Sequence, residues 1–469
     1  MKAFTEPLLS LAGFEEMTKT AEKSSGLISV TGCIDAQKSQ MIYAFGGHRK
    51  NKLIVTFGEQ KAKELYDEYS FFDKEVVYYP SKDVLFYQSD IRGNLLTAER
   101  IRALKAIREQ ERVTLVTTFD ALMNTMAPIE KMWENVLTLE QGQLLDLKEI
   151  QAALIRMGYE KEYQVQTMGQ FSVRGGILDV FPLTEENPIR IELWGDEIDT
   201  IRYFDCESQK SIENIDRVSI YPAAELVLSD EEKAGGIDKL KAEAKRVSDK
   251  LRKQMKTEEA HRVTVMADEL TEEWGELSMY AGMDAFLSYF FDERVGILDY
   301  FNPSDSLIFF DELTRCTEQG KLTETEFSES MKQRLAMGYI LPGQMNGLFT
   351  EKEIVAKLGK YSCIALAALD NKANGLHQLG SYGIHCQSVS PYNNSFELLI
   401  KDLKRYKKNG YRVILLSGSR TRAKRLSEDI TDQGITCFYT ENYDHELFEG
   451  QIMVCYGKVR RGFEYPILK

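Results

Sequence analysis

In the first 125 residues, apolar runs of strand length alternate with amphipathic segments of helical spacing. The apolar runs lie at 26–30, 52–57, 75–79 and 112–117, and the helical segments lie at 60–69 and 97–110. Continuous apolar runs are typical of strands that are buried on both faces of a parallel sheet. Helices between such strands supply the crossovers that a parallel sheet needs. The pattern therefore predicts a doubly wound α/β domain.

The pattern changes between Pro128 and Pro222, where strictly alternating runs surround one helical segment at 147–157. Alternating runs flank Gly175-Gly176 and, further along, Gly195-Asp196. Two turn residues between alternating runs indicate β-hairpins. This region is therefore predicted to be an α+β insert that differs from the sequence on either side of it.

Strand and helix patterns return after the insert. A long charged helix is predicted at 237–257, and strands are predicted at 262–266, 306–310, 363–368 and 383–388. A last unit begins near Pro391, with a helix at 396–409, a strand at 411–416, a helix at 420–433 and Gly434 at its C-cap. The α/β core is therefore expected to resume after the insert, and a further small α/β domain follows it.

Composition narrows the class of protein. Seven cysteines lie among 469 residues without any CxxC pair, which favours reduced, buried thiols over disulfides or a zinc site. No apolar run approaches the 18 or so residues of a membrane span, and the first residues lack the apolar core of a secretory signal. We expect a cytoplasmic protein without membrane contact or a metal site.

The formal net charge is −14, and it is unevenly distributed. The insert at 127–222 contains nine Lys and Arg residues against 18 Asp and Glu residues, so it carries nine of the 14 excess negative charges. Phosphate neutralisation requires clustered cations, so the insert is predicted to repel DNA and to suit a protein partner.

One motif after the first strand resembles a nucleotide-binding loop. Gly32, Lys38 and Ser39 keep the G-x4-G-K-[ST] spacing, but Gln37 stands where the second glycine belongs. Asp311 and Glu312 end a later strand, where they could hold Mg²⁺ and activate water. A side chain at position 37 disfavours the curled backbone that cradles phosphate, so we predict a degenerate nucleotide site. A residual nucleotide-binding ATPase module is the alternative interpretation.

A second constellation lies in the insert. Phe171, Arg174 and Phe181 flank the first predicted hairpin turn, and Lys161 precedes it. An exposed arginine beside aromatic side chains is typical of a protein–protein hot spot. The alternative interpretation is a surface arginine above an apolar face. No arrangement of residues predicts a catalytic site.

The chain resembles the N-terminal part of the bacterial transcription-repair coupling factors (Mfd), whose first domains are similar to the excision-repair protein UvrB. The resemblance covers essentially the whole chain. It rests on the degenerate loop at 32–39, the stretch 79–87, the helix with Glu99-Arg100 and the R-G-x-x-x-D-x-F-P motif at 174–182. It implies a RecA-like (P-loop NTPase-like) parallel-sheet core that is split by the inserted α+β domain.

The resemblance also divides the chain. It implies a RecA-like domain 1a at 1–126, an inserted UvrB-like domain 2 at 127–222, a domain 1b at 223–388 that completes the core, and an additional α/β domain at 389–469. The last apolar residues, 466–469, resemble an interrupted strand, so we expect this domain to be truncated.

The family's domain 2 binds UvrA, and UvrB presents a Y-x-R…R-x-R-G pattern there. Arg174 matches that pattern, Lys161 replaces its first arginine, and Phe171 and Phe181 are further candidates from this sequence. We therefore predict a UvrA-recruiting adaptor for transcription-coupled nucleotide excision repair. A damaged-DNA-binding module is the alternative among nucleic-acid-binding proteins.

The remaining partners and cofactors of the family are expected beyond this chain. The resemblance implies that ATP and Mg²⁺ belong to motor domains, which make the whole protein a DNA translocase, and that RNA polymerase and duplex DNA contact those later parts. It also implies that a C-terminal domain masks the UvrA-binding surface. We therefore expect a non-catalytic segment without a cofactor that binds UvrA constitutively.

Overall fold

A computed structural model describes the chain over residues 1–46, 49–82, 94–276, 282–369, 374–392 and 395–468. His48 and positions 83–87 of the stretch at 79–87 lie outside these residues. The predicted elements of the first segment are confirmed, and their bounds are α1 (Lys2–Leu9), α2 (Phe14–Lys23), β1 (Gly26–Thr31), α3 (Asp35–Phe45), β2 (Asn51–Thr56), α4 (Glu59–Tyr69), β3 (Val76–Tyr79), α5 (Asn94–Glu109), β4 (Val113–Thr118) and α6 (Phe119–Met123).

The insert folds as a mainly antiparallel α+β unit, in which only β6 and β7 pair in parallel among the described strands. Its elements are α7 (Ile129–Glu134), β5 (Leu137–Glu140), α8 (Leu147–Arg156), β6 (Glu160–Lys161), β7 (Gln170–Arg174), β8 (Ile177–Val180), β9 (Ile189–Trp194), β10 (Glu197–Phe204), β11 (Ser211–Ile215) and β12 (Arg217–Ile220). Both predicted hairpins are confirmed, because Arg174 pairs with Ile177 and Trp194 with Glu197. Gly175 and Gly195 have φ values of 62° and 64°, which glycine adopts without steric cost.

The next segment contains α9 (Asp230–Lys253), α10 (Thr257–Glu276), α11 (Leu287–Phe290), β13 (Ser306–Asp311), α12 (Leu313–Ala336), α13 (Glu351–Leu358), β14 (Ser362–Leu366) and β15 (Gln378–Gly383). Two predictions are wrong here. The strand at 262–266 is part of α10, and the single strand at 383–388 is replaced by the end of β15 at Gly383 and the short β16 at Gln387–Ser388. Val263 is buried with Ala260 and Ala267 against α9, so helix packing overrides the β propensity of this run.

The long charged helix is confirmed, but it begins earlier than predicted. A capping box between Ser229 and Glu232 starts α9 at Asp230, so Gly235 and Gly236 lie inside the helix. A Cβ atom on Gly236 would lie 2.2 Å from the Phe290 ring, so close packing accounts for this glycine.

The last segment contains β16 (Gln387–Ser388), α14 (Phe396–Lys408), β17 (Val413–Ser417), α15 (Arg420–Asp432), β18 (Phe438–Tyr439), β19 (Ile452–Tyr456) and β20 (Phe463–Glu464). Strands β17, β19 and β18 form a small parallel sheet. Gly434 follows α15 with a φ of 76°, in agreement with its predicted place at the C-cap.

Seven parallel strands form the central sheet in the order β15-β1-β14-β13-β2-β4-β3. Strands β13 and β14 lie between β1 and β2, so chain from both sides of the insert alternates within one sheet. The predicted α/β class, with a parallel-sheet core and an inserted α+β unit, is therefore confirmed. The order is compatible with a RecA-like core.

A buried ion network lies where the chain returns from the insert. Arg100 of α5 is fully buried and binds both oxygens of Glu225, at 2.7 and 3.1 Å, while Lys82 lies 3.0 Å from the same carboxylate. Burial alone would raise the pKa of Glu225, but the two cations outweigh it and lower this pKa to about 2.

We expect Glu225→Gln to lower the free energy of unfolding by about 3–5 kcal/mol at neutral pH, because it leaves buried cations without their counter-charge. The folded-state pKa of Glu225 lies below its ordinary value, so its stabilisation is complete above about pH 5 and declines as the pH falls towards 2. Urea unfolding of both chains between about pH 7 and pH 3 should show a shrinking difference. A difference that stays constant over this range would contradict the assignment.

Candidate functional site

The six-stranded sheet of the insert has one buried and one open face. Side chains at alternate positions of its strands pack into a core that includes Phe171, Leu178, Ile189, Ile191 and Ile201. The strand period of two places the intervening residues on the opposite face. Strand pairing groups charged side chains on this open face, namely Arg174, Asp179, Arg190, Glu192 and Arg202.

Asp179 is the centre of the charged group. Its carboxylate is 1% exposed and accepts hydrogen bonds from Arg190 Nε at 2.7 Å, Arg190 Nη2 at 2.8 Å and Arg174 Nη2 at 2.7 Å. The hydrogen bond to Asp179 raises the pKa of Arg190 above its ordinary value. A carboxylate that is shared by two guanidinium groups fixes the orientation of both.

Arg174 is the more accessible of these two arginines. It ends β7 directly before the hairpin turn, and its side chain is 36% exposed against 12% for Arg190. Asp179 engages only Nη2 of this guanidinium, which has five N–H donors in all. Arg174 can therefore present an oriented charge to a carboxylate on a partner.

Lys161 lies on the neighbouring edge of the sheet. Strand β6 runs parallel to β7 and pairs Lys161 with Phe171, three residues before Arg174. The ammonium group is exposed and donates to Gln151 Oε1 at 2.7 Å. Paired residues point to the same face of a sheet, so Lys161 lies on the side of Phe171 and opposite to Arg174.

Phe171 and Phe181 are buried, contrary to their predicted role as partner contacts. Phe171 is 0% exposed within the core of the insert, and Phe181 is 8% exposed. Phe171 follows the inward alternation of β7, and the backbone of Phe181 bonds to Gln170 and Gly169. These rings stabilise the strands that carry the open face and offer a partner almost no surface.

The loop at 32–39 differs from a phosphate-binding loop in its backbone. Helix α3 begins at Asp35, three residues before Lys38, so most of the motif is helical. The amide of Cys33 donates to Ala367 O at 2.9 Å. Gly32 has a φ of 78° and packs against Ile384, whose carbonyl oxygen would lie 2.1 Å from an added Cβ. The backbone amides therefore do not converge on an open cradle.

Lys38 occupies the centre of this region with its own counter-charges. Its ammonium group is 1% exposed and lies 2.5 Å from Asp311 Oδ1, 2.8 Å from Glu312 Oε1 and 3.2 Å from Asp35 Oδ1. Burial alone would lower the pKa of Lys38, but the carboxylates of Asp311 and Glu312 outweigh it and raise this pKa above its ordinary value. The structure thus joins the predicted residues into an internal ion cluster.

The carboxylates of this cluster also accept hydrogen bonds from groups other than Lys38. The second oxygen of Asp311 accepts from Thr56 Oγ1 at 3.0 Å, and Glu312 also accepts from the amide of Ala368 at 3.0 Å. Ser39 is buried, and its hydroxyl has no hydrogen-bond partner among the described residues. Lys38, Thr56 and the amide of Ala368 therefore occupy both oxygens of Asp311 and Oε1 of Glu312.

Sequence reasoning missed the residues that complete both sites. Asp179 appeared only as a motif letter, and Arg190 and Thr56 were not identified. The predicted hairpins gave no signal for Arg190, because it meets Asp179 where β9 of the second hairpin pairs with β8 of the first. Thr56 and Asp311 meet across neighbouring parallel strands, a pairing that has no local signal in the sequence.

Within the described residues, no group of three or more His, Cys, Asp or Glu side chains is arranged to hold a metal ion. None of the helices in that part of the chain has the length and apolar character that crossing a membrane requires.

We expect Lys38→Met to lower the free energy of unfolding by about 3–5 kcal/mol, because Asp311 would remain as a buried charge without its cation. Addition of Asp311→Asn should recover part of this loss. Urea unfolding measures both effects, with Lys19→Met as the control because its ion pair with Glu15 is exposed and should not affect the midpoint. Equal midpoints for Lys38→Met and the wild type would refute a structural role.

Comparison with known proteins identifies one similarity within the insert and another over most of the chain. Residues 137–226 match the UvrB interaction domain family. The transcription-repair-coupling factor of Bacillus subtilis (strain 168) is 26% identical over 418 residues, which cover 89% of this chain and 35% of that protein. The corresponding factor of Staphylococcus haemolyticus (strain JCSC1435) is 25% identical over 452 residues, covering 94% of this chain and 37% of that protein.

A third relative extends the match almost to the full chain. The transcription-repair-coupling factor of Staphylococcus aureus (strain MRSA252) is 26% identical over 466 residues, covering 97% of this chain and 38% of that protein. The chain spans only between 35% and 38% of the length of these three relatives. It therefore resembles the N-terminal region of transcription-repair-coupling factors, with a UvrB interaction domain at residues 137–226.

Proposed function

We propose that this chain is the UvrA-recruiting module of a transcription-repair coupling factor and acts in transcription-coupled nucleotide excision repair. The observation that carries the proposal is the match of residues 137–226 to the UvrB interaction domain family. That segment contains the complete open face, including Arg174 and Asp179. Arg174 is the proposed anchor for UvrA.

The electrostatics of the insert support a protein partner. The insert as a whole is strongly acidic, yet its open face carries the guanidinium groups of Arg174, Arg190 and Arg202, of which Arg174 is the most exposed. Asp179 and Glu192 orient these groups, so less side-chain entropy is lost when a partner binds. A local basic face on an acidic unit favours carboxylates of a protein over the long phosphate backbone of DNA.

The similarity to transcription-repair-coupling factors, which are longer than this chain, supports a wider role in repair. We propose that UvrA bound to the insert is brought to RNA polymerase stalled at damage, and that RNA polymerase and duplex DNA are contacted by parts beyond this chain. Motor activity with ATP and Mg²⁺ is assigned to those same parts. A C-terminal domain would mask the open face in the whole protein, so this chain alone should bind UvrA constitutively.

We expect Arg174→Ala to weaken UvrA binding by about 30-fold or more, because an oriented arginine at an interface is a typical hot spot. Calorimetric titration of purified UvrA into the 469-residue chain measures the dissociation constant. Arg174→Lys should restore the charge but only part of the affinity, since an ammonium group cannot form two parallel hydrogen bonds to one carboxylate.

The matched control is Arg252→Ala on α9, which removes another exposed arginine that is paired with a single carboxylate, that of Asp249. It should leave the dissociation constant unchanged. If the wild-type chain did not bind UvrA, the proposed function would be wrong. If Arg174→Ala bound as the wild type does, the anchor would lie elsewhere on the insert.

We further expect no measurable ATP binding by this chain, because Lys38 is held by Asp311, Glu312 and Asp35. A fluorescent ATP analogue with Mg²⁺ should give no saturable signal with either the wild type or Lys38→Ala. Saturable binding that is lost in Lys38→Ala, while the variant remains folded by circular dichroism, would revive the ATPase alternative.

A further inference from the structure

Trp194 is an exposed aromatic residue on the insert. It ends β9 directly before the Gly195-Asp196 turn, and its side chain is 84% exposed. The other two tryptophans of the chain differ, since Trp274 is fully buried and Trp133 packs at the edge of the main core. Tryptophan is among the residues most enriched at protein–protein hot spots. An indole that contributes little to the core is therefore available to a partner.

Strand register places Trp194 near Arg174. Arg174 pairs with Ile177 and Ile177 with Glu192, and Trp194 follows Glu192 by two residues on the same face. Two strand spacings across the sheet and two residues along it separate the Cα atoms by about 12 Å. Both residues also adjoin hairpin turns at the same end of the sheet. One partner surface can therefore cover both.

A cleft of about 720 Å³ opens beside Trp194. Its walls come from the start of β10, the loop after β5 and the start of β12, which bring Glu197, Asp199, Asp216 and the paired Glu140 and Arg217 together. The carboxylates outnumber the single guanidinium group. The cleft therefore favours a cation. The indole ring of Trp194, which forms one side of the cleft, can add a cation–π contact.

We propose that Trp194 is a second anchor for the partner that Arg174 binds, and that the cleft beside it receives a lysine or arginine side chain of that partner. This inference rests on the proposed function and adds a charge pattern to it. The partner presents a carboxylate to Arg174 and a basic side chain to the cleft beside Trp194. Two contacts of opposite sign fix the orientation of the partner on the sheet.

Titration of UvrA into single variants tests the indole. We expect Trp194→Ala to weaken binding at least about tenfold and Trp194→Phe to retain most of the affinity, because an aromatic face remains. Ile212→Ala on β11 is the matched control, as it removes another exposed apolar side chain of the insert and should leave binding unchanged. The exposure of Trp194 predicts that each variant unfolds at the temperature of the wild type.

Substitution of the acidic residues that line the cleft tests its role in binding. Asp199→Asn combined with Asp216→Asn should weaken binding about fivefold or more and reduce its dependence on salt. The control is Asp429→Asn combined with Asp432→Asn on α15, which removes the same charge far along the chain from the insert. Equal loss in both double variants would show a general charge effect and would overturn the cleft assignment.

The outcomes separate this inference from the function on which it rests. If Arg174→Ala weakens binding and Trp194→Ala does not, the second anchor is wrong and UvrA recruitment stands. If the wild-type chain does not bind UvrA, both are wrong. Loss of affinity in Arg174→Ala, Trp194→Ala and the Asp199 and Asp216 variant, with both controls unchanged, supports the complete proposal.

Discussion

The ammonium group of Lys38, buried against Asp311 and Glu312, joins the two parts of the chain that must meet to form the central sheet. Lys38 comes from the first part and both carboxylates come after the insert. Strands from the two parts alternate within the sheet, so neither part can complete it alone. Arg100 and Glu225 form a second buried pair between them. The motif at 32–39, whose spacing resembles a nucleotide-binding loop, thus supplies the cation that pairs with carboxylates from the later part of the chain.

The insert uses the same chemistry with a different outcome. Asp179 is as deeply buried as Asp311, but its two arginines lie on an open sheet face, so one of them retains accessible donors. In the core, the lysine is enclosed by its partners and has no surface to offer. Whether a buried carboxylate supports a fold or positions a binding group depends on the exposure of the cation that it holds.

Much of the fold could be predicted because buried strands and amphipathic helices have different periods. The four strands of the first segment, the two hairpins and α15 with Gly434 follow from local pattern alone. The run at 262–266 was misassigned because its β-branched residues favour a strand locally, whereas the face of α9 selects a helix. Tertiary packing can outweigh a propensity difference of about 1 kcal/mol or less per residue.

The sequence by itself determined the α/β class, the position of the insert and the candidacy of Arg174, because period, turn residues and a motif are local properties. Only the tertiary structure decided that Phe171 supports the core, that Lys38 is enclosed by carboxylates, and that Trp194 lies near Arg174. Those facts depend on strand register and on contacts between residues far apart in the chain. Burial and charge pairing across such distances have no signature in a single sequence.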